Sequence, residues 1–224
     1  MTAPSEDWPR DPGGVPYPPP PWHLHGTLWV SLWQVPEARA PIDTLGDEMV
    51  VQAIAGRALV ATAFAAYGPK GDLAYGEVLA AMRIRVRGRT FTHVPRIWVD
   101  HPSSIAGART LWRIPKEAAR FRFEEAADGE FAGEAETPEG SRFARLGFRP
   151  TVRLPGRWPV WTHIAQRSSE GEEASVVTNV RAWARVTHGR AAWDMKSDGP
   201  LGFLAGLTPM TSLRLHDVTL TFGG

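Results

Sequence analysis

The sequence predicts a mainly β fold of the α+β class, in which an antiparallel sheet curls into a barrel or a two-layer structure and carries two or three short helices. Successive segments alternate apolar and polar residues and are separated by short turns, which is typical of consecutive hairpins. Strands do not alternate regularly with long helices, so a parallel sheet is not expected. Ten Trp and nine Phe residues are spread along the chain and would give the curled sheet an apolar interior.

The chain of 224 residues is long enough for one large domain with a substantial core. Residues 1–21 end in four consecutive prolines, Pro18 to Pro21, which cannot join a helix or a central strand. We therefore expect an extended, proline-rich N-terminal arm at 1–21 and a single domain at 22–224. The mouth of such a domain can hold a small ligand.

Composition excludes several classes of function. The net charge of +1 gives no reason to expect nucleic acid or an anionic membrane as a partner. The absence of cysteine excludes a disulfide framework, a thiolate metal site and a cysteine nucleophile. The N-terminal residues lack the basic and apolar regions of a signal peptide, and no apolar run reaches the ~18 residues of a membrane span. We expect a soluble, cytoplasmic protein.

The first strand is predicted at 23–35, with leucines and a valine on one face and Trp29 and Trp33 on the other. Apolar residues on both faces indicate a strand that is covered on both sides. Pro36 ends it. Further strands are predicted at 47–52 and 57–67.

The clearest hairpin spans 75–100. Arg83 and Arg85 alternate with Ile84, which is typical of a half-buried strand. Pro95 in the return strand predicts an edge or a bulge, because proline has no N–H for the ladder.

Two short helices are predicted among the remaining strands. The first lies within 100–112 and is limited by Pro115. The second is predicted from Pro200 to Leu207, where leucines recur at helical spacing. The last strand, 213–222, changes phase near His216–Asp217. Hairpins are predicted to turn at 128–129 and at His188–Gly189, strands to run over 141–154 and 160–167, and a loop to include the acidic residues 168–173.

One lysine stands out. Only three of the 25 basic residues are lysines, and Lys116 is flanked by bulky residues such as Trp112, Ile114 and Phe121. Burial among apolar groups disfavours the ammonium form and makes a neutral, nucleophilic amine available. The alternative is a surface lysine at the mouth of a short helix, with its stem lying on apolar neighbours.

Other patterns are less specific. His23 and His25 lie on one face of a strand but have no evident third ligand, so neither a metal site nor any other cofactor is predicted. The many tryptophans are explained by a core, and a minority interpretation is an aromatic pocket for a hydrophobic substrate.

Four stretches together resemble the acetoacetate decarboxylase superfamily. They are the strand HGTLWVSLWQVP, the triplet Tyr75-Gly76-Glu77, the run WVDHPSSIAGARTLWRIPKEAARF and the C-terminal AAWDMKSDGPLGFLAGLTPMTSLRLHDVTLTF. Their order is that of the family, and they span most of 22–222. The resemblance implies a cone-like antiparallel β-barrel or curled sheet.

The resemblance also implies site residues. Lys116 occupies the position of the family's Schiff-base lysine, and Glu77 that of a carboxylate close to it. Arg109 matches the arginine of the family's Gly-Arg-Glu motif. The residues expected to bind substrate are Arg109, Trp112, Ile114, Trp98 and Trp29.

The sequence departs from the family pattern at several positions. Glu117 replaces the second lysine of Pro-Lys-Lys, Thr110 replaces the glutamate of Gly-Arg-Glu, and Thr62 lies near the position of another pocket glutamate. Gly26 or His25 occupies the place of a basic residue on the first strand. These departures indicate a substrate other than acetoacetate.

We therefore expect a cofactor-independent Schiff-base lyase acting on a small keto acid or aldol-type carbonyl compound, as a decarboxylase or an aldolase/dehydratase. The alternative is a non-covalent cyclase or small-molecule-binding protein that uses the same apolar pocket, with Lys116 not catalytic. The family resemblance further implies a homo-oligomer.

Overall fold

The computed structural model describes residues 5–167 and 175–224, so the acidic stretch 168–173 lies outside the described residues. The predicted mainly β fold with an antiparallel, curled sheet is confirmed. The described strands are β1 Trp22–Pro36, β2 Met49–Val51, β3 Ala53–Ile54, β4 Arg57–Tyr67, β5 Tyr75–Val86, β6 Arg89–Val99, β7 Lys116–Ala118, β8 Arg120–Glu125, β9 Phe131–Glu136, β10 Arg142–Arg153, β11 Trp158–Gln166, β12 Val176–Met195 and β13 Thr211–Phe222.

The sheet curls back on itself. Its strands run in the order β11-β6-β5-β4-β1-β13-β12-β10-β9-β8, and β11 also pairs with β12. The pairing of β11 with β6 is a single parallel bridge, Ile164 to Thr92. Seven strands thus form a closed path, from which β10, β9 and β8 extend beyond β12.

Short helices lie outside this path. The one α-helix in the described chain, α1, spans Pro102–Trp112. Three 3-10 turns lie at Glu37–Arg39, Ile42–Thr44 and Gly202–Leu204. The helix predicted at 200–207 is only this last turn, because the residue that follows it, Ala205, already has an extended ψ of 133°.

The predicted hairpin at His188–Gly189 is wrong, because β12 runs through both residues without a turn. Its neighbour β10 carries a bulge opposite them, between Pro150 and Val152. A Cβ on Gly189 would lie 2.2 Å from the ring of Phe148. The glycine therefore lets the Phe148 ring of β10 lie directly against the backbone of β12.

Two other predicted irregularities are present in the strands. β6 is bulged around Pro95, where its pairing with β5 shifts register. In β13, Asp217 has a φ of 50° next to a shift in the pairing with β12. Both bends increase the curl of the sheet.

The N-terminal residues 5–21 pack on the domain near α1. The arm predicted to be extended turns back on itself, because an antiparallel bridge joins Arg10 to Pro16. Tyr17 is buried, and the indole of Trp22 donates a hydrogen bond to the carbonyl of Pro18 at 2.7 Å. A Cβ on Gly107 of α1 would lie 2.4 Å from the Trp22 ring. The close packing of arm, first strand and helix thus depends on this glycine.

The core of the described chain contains three large apolar clusters, of which the one around Trp33 and Met82 lies apart from the site. Of the other two, the first surrounds Trp22, Tyr75 and Trp112, and the second surrounds Trp29 and Phe64. Since neighbouring strand residues point to opposite faces, β1 contributes to the clusters on both of its faces. None of the described helices is long and apolar enough to cross a membrane.

Candidate active site

The pairing register of neighbouring strands brings a few polar side chains together within the apolar cluster around Trp22, Tyr75 and Trp112. β4 pairs with β5 so that Tyr67 lies opposite Tyr75. β5 pairs with β6 so that Glu77 lies opposite Val99, and the parallel strand β7 places Lys116 beside Ile97 of β6. Alternation along β5 puts Tyr75 and Glu77 on one face, which is the face that Lys116 reaches.

The end of α1 delivers Lys116 to that face. Arg113 adopts a left-handed conformation with φ of 57° and so terminates the helix, as a C-cap residue often does. The N–H of Ile114 bonds back to the carbonyl of Ala108. Pro115 prevents further helix, and the chain enters β7 at Lys116.

The Lys116 amine contacts three oxygens. Its Nζ donates to Glu77 Oε2 at 2.8 Å, to Ser104 Oγ at 2.9 Å and to Tyr75 Oη at 3.2 Å. Nζ also lies 4.7 Å from the centre of the Tyr75 ring. An ammonium has three N–H donors, so this arrangement satisfies all of them.

The ion pair between Lys116 and Glu77 is enclosed. Lys116 is 5% exposed and Glu77 is 4% exposed. Removing two charges from water is expensive, and their attraction offsets the cost only if remaining donors and acceptors are also bonded. Ser104 and Tyr75 supply those bonds on the lysine side.

Tyr75 and Tyr67 carry neutral hydroxyl groups. Burial, reinforced by the charge of Glu77, raises the pKa of Tyr75 and that of Tyr67 well above the usual value. Their rings lie 4.9 Å apart. Both phenols therefore keep their protons across the physiological pH range.

Asp100 and His101 border the site. Asp100 Oδ1 accepts the Gly76 N–H at 2.8 Å, which fixes the start of β5. Burial raises the pKa of Asp100 and lowers that of His101, and the Lys116 charge lowers the His101 pKa further. His101 Nδ1 is buried and has no hydrogen-bond partner among the described residues.

Lys116, Glu77 and Tyr75 line a cavity of about 140 Å³. For comparison, an apolar cavity of about 150 Å³ accommodates benzene. The remaining lining is aromatic or aliphatic and includes Trp22, Tyr67, Leu79, Ile97, Trp112 and Ile114. The cavity can therefore hold a small molecule against the amine.

The structure brings together four of the seven predicted site residues. Lys116 and Glu77 are in contact, and Trp112 and Ile114 line the same cavity.

The other three predicted residues lie elsewhere. Arg109 is exposed on α1 and does not line the cavity. Trp29 stacks on Phe131 at 3.5 Å in the second core cluster. Trp98 belongs to that second cluster too, and its indole donates to Glu117 Oε2 at 3.1 Å. The geometry gives these three no contact with a molecule bound beside Lys116.

The structure also shows where the residues that depart from the family pattern lie. Glu117 is exposed, so it does not lie beside the amine. Thr62 is buried and accepts the indole N–H of Trp33 at 2.9 Å. It is Ala65 that stands opposite Glu77 on β4, so no second carboxylate faces the lysine from this position.

Ser104 and Tyr67 were missed as site residues by sequence reasoning. Ser104, Ala108 and Trp112 follow each other at intervals of four residues, which places them on one face of a helix. Since Trp112 was predicted to bind substrate, this spacing was the signal for Ser104. Tyr67 could be found only from the pairing of β4 with β5.

His23 and His25 do not form a metal site with other described residues. Across the parts of the chain that the structure describes, no group of three histidine or carboxylate side chains could hold a metal ion. His23 Nδ1 lies 3.3 Å from Thr221 Oγ1 on the neighbouring strand.

Solved structures with the same fold were found at low sequence identity. MppR, the enduracididine biosynthesis enzyme complexed with pyruvate, superposes with a TM-score of 0.69 at 17% identity, over 95% of this chain and 93% of that chain. An acetoacetate decarboxylase-like enzyme from Sphingomonas wittichii RW1 gives 0.66 at 14% identity, over 99% and 98%. Acetoacetate decarboxylase from Legionella pneumophila gives 0.65 at 15% identity, over 99% and 90%.

Sequence comparison gives the family directly. No curated protein matches the chain significantly. The family profile described as acetoacetate decarboxylase (ADC) matches residues 45–219, a range that includes Glu77, α1 and Lys116. The chain therefore belongs to the acetoacetate decarboxylase family, and the resemblance predicted from the sequence is confirmed.

Proposed function

We propose that this protein is a Schiff-base lyase in which the Lys116 amine attacks the carbonyl carbon of a small keto acid or aldol-type substrate. The observation that carries the proposal is the buried contact of Lys116 with Glu77 at the wall of an apolar cavity. An amine at such a wall can meet a carbonyl compound in surroundings from which water is largely excluded. Family membership and the enzymes among the solved structures of the same fold support an enzymatic function.

The first step is a proton transfer. As an ammonium Lys116 has no lone pair, so Glu77 takes one proton from Nζ at 2.8 Å. In an apolar cavity this transfer replaces two charges by two neutral groups, which reduces its cost. Ser104 and Tyr75 hold the amine while its lone pair turns towards the cavity.

The second step forms the iminium. The amine nitrogen bonds to the carbonyl carbon, and the oxygen of the resulting carbinolamine receives one proton from the nitrogen and one from Glu77. It leaves as water, so the iminium nitrogen keeps one hydrogen and the positive charge. Glu77 is again a carboxylate and pairs with that charge.

The iminium then accepts the electrons of a neighbouring bond. Loss of carbon dioxide from a β-keto acid leaves an enamine. In a β-hydroxy carbonyl compound, Glu77 accepts the hydroxyl proton while the carbon–carbon bond breaks, or it accepts the α proton before water is lost. Protonation of the enamine and hydrolysis of the iminium release product and regenerate Lys116.

One solved structure of this fold is MppR complexed with pyruvate, and another is MppR with the condensation product of pyruvate and imidazole 4-carboxaldehyde. These ligands are a carbonyl compound and a condensation product of two carbonyl compounds. They support carbonyl chemistry of the aldol type as one form of the proposed activity.

A second candidate is a non-covalent cyclase or small-molecule-binding protein. It is favoured by the saturation of the Lys116 donors, since Glu77, Tyr75 and Ser104 leave no free N–H. An ion pair held in this way could be purely structural. The two candidates differ in whether a covalent adduct forms on Lys116.

Borohydride trapping distinguishes them. The protein is incubated with pyruvate, acetoacetate and small neutral ketones, reduced with sodium borohydride and mapped by peptide mass spectrometry. We expect an adduct on Lys116 and none on the exposed Lys70 and Lys196, which serve as internal controls. An unlabelled Lys116, or a Lys116→Met variant that still turns over a substrate found for the wild type, would refute the Schiff-base mechanism.

A further inference from the structure

Among the described residues, the lining of the cavity beside Lys116 offers no cationic group other than Lys116 itself to pair with a substrate carboxylate. Within the described chain, its lining contains two charged side chains, Lys116 and Glu77, and these pair with each other at 2.8 Å. Arginine and histidine are absent from that lining. Arg109 and Arg113, the arginines of the preceding helix and its cap, are exposed.

The charged groups in the cavity lining determine which net charge a bound substrate can carry. An uncharged carbonyl compound leaves the site neutral at every stage, because the iminium on Lys116 keeps the positive charge that balances Glu77. A substrate with its own carboxylate would leave one unpaired negative charge in an apolar cavity. A buried charge without a partner is strongly disfavoured.

Tyr67 adds a neutral donor. It is 8% exposed, lines the cavity and has no side-chain hydrogen bond to any other described residue. Its hydroxyl is not among the fully enclosed polar atoms that lack a partner, so it keeps some contact with solvent. Burial of the side chain raises the pKa of this phenol, so it remains a donor. An uncharged acceptor such as a hydroxyl or a second carbonyl oxygen suits it.

We propose that the substrate is a small, uncharged and largely apolar carbonyl compound, and that Tyr67 donates a hydrogen bond to a second, neutral oxygen of it. This inference rests on the proposed function and narrows it from keto acids to neutral aldol-type compounds such as β-hydroxy ketones. It also separates this chain from MppR, which is known complexed with pyruvate.

A matched pair of ketones tests the charge. Levulinate and methyl isoamyl ketone are methyl ketones of similar shape, in which a carboxylate replaces an isopropyl group. In competition, with borohydride reduction and mass spectrometry of the Lys116 peptide, we expect methyl isoamyl ketone to give at least about tenfold more adduct. Equal labelling, or a preference for levulinate, overturns this inference and leaves the proposed function intact. No adduct from either ketone, or from any other carbonyl compound, overturns both.

A second pair tests Tyr67. Diacetone alcohol and methyl neopentyl ketone differ by a hydroxyl in place of a methyl group. One hydrogen bond changes an equilibrium by roughly two- to tenfold. All adducts derived from diacetone alcohol are counted, including the acetone-derived adduct left by carbon–carbon cleavage, and their ratio to methyl neopentyl ketone adducts should fall by about that factor in Tyr67→Phe. Using a ratio removes any general effect of the variant on folding or on the amine. An unchanged ratio overturns the role of Tyr67.

Discussion

The buried ion pair makes a prediction that does not depend on any substrate. Replacing Glu77 by Gln leaves the Lys116 ammonium without a counter-charge, and replacing Lys116 by Met leaves the Glu77 carboxylate alone. Removing one partner of a buried pair costs about 3–5 kcal/mol of unfolding free energy. The double variant has no charge at either position. Its loss of unfolding free energy should therefore be much smaller than the sum of the losses in the two single variants. We expect a coupling free energy of at least about 3 kcal/mol.

The two single variants should respond to pH in opposite directions. The isolated charge can be removed by titration, and neutralising a free lysine amine costs about 4.6 kcal/mol at pH 7 but only about 2 kcal/mol at pH 9. For a free glutamate carboxylate the cost is about 3.7 kcal/mol at pH 7 and about 1 kcal/mol at pH 5. The loss in Glu77→Gln should therefore shrink as pH rises, and the loss in Lys116→Met should shrink as pH falls.

Urea unfolding followed by tryptophan fluorescence measures these free energies for the wild type, both single variants and the double variant at pH 5, 7 and 9. Each variant is compared with the wild type at the same pH, which removes pH effects common to all four proteins. Additive losses, or single variants that lose less than about 1 kcal/mol at pH 7, would show that no charged pair is buried at this site.

Three further outcomes follow from other parts of the molecule. Gly189→Ala should lose about 1–3 kcal/mol of stability by denaturant unfolding, because its Cβ would lie 2.2 Å from Phe148; full stability would mean that β10 and β12 can separate there. Burial lowers the pKa of His93, so an unfolded chain binds protons that the native protein does not, and stability should decline as pH falls below about 6.5; a His93→Gln variant with the same slope between pH 5 and 7 would contradict this. The homo-oligomer implied by family resemblance remains a prediction, and light scattering should give a mass that is a multiple of 24.6 kDa; a single-chain mass would refute it.

Much of the fold followed from the sequence because strand alternation and proline positions are local signals. The first strand and the large hairpin were located in this way. β12 was divided wrongly, because a histidine–glycine pair looks the same in a turn and beside a bulge of the neighbouring strand. The ring of Phe148 and the carbonyl of Arg149 on β10 leave no room for a Cβ at Gly189, and those contacts are not visible in one strand's sequence.

Two of the three site residues that were predicted from motifs lie in the site, whereas the third, Arg109, is exposed on α1. Glu77 and Lys116 came from ordered motifs and meet in the structure. Trp29 and Trp98 were chosen as aromatic residues near those motifs. Each directly follows a residue that lines the cavity, Leu28 or Ile97, so strand alternation points both indoles to the opposite face.

The placement of Lys116 and Glu77 on different kinds of strand has an evolutionary consequence. Glu77 belongs to β5, whose ladders with β4 and β6 are part of the closed path. Lys116 starts β7, a strand of three residues that adds a short parallel ladder to β6 and lies off that path. The segment that carries the amine can therefore change in length and sequence without opening the sheet, while the carboxylate stays in register. In this arrangement the segment that carries Lys116 and the helix beside it can change as one unit while the rest of the protein is kept.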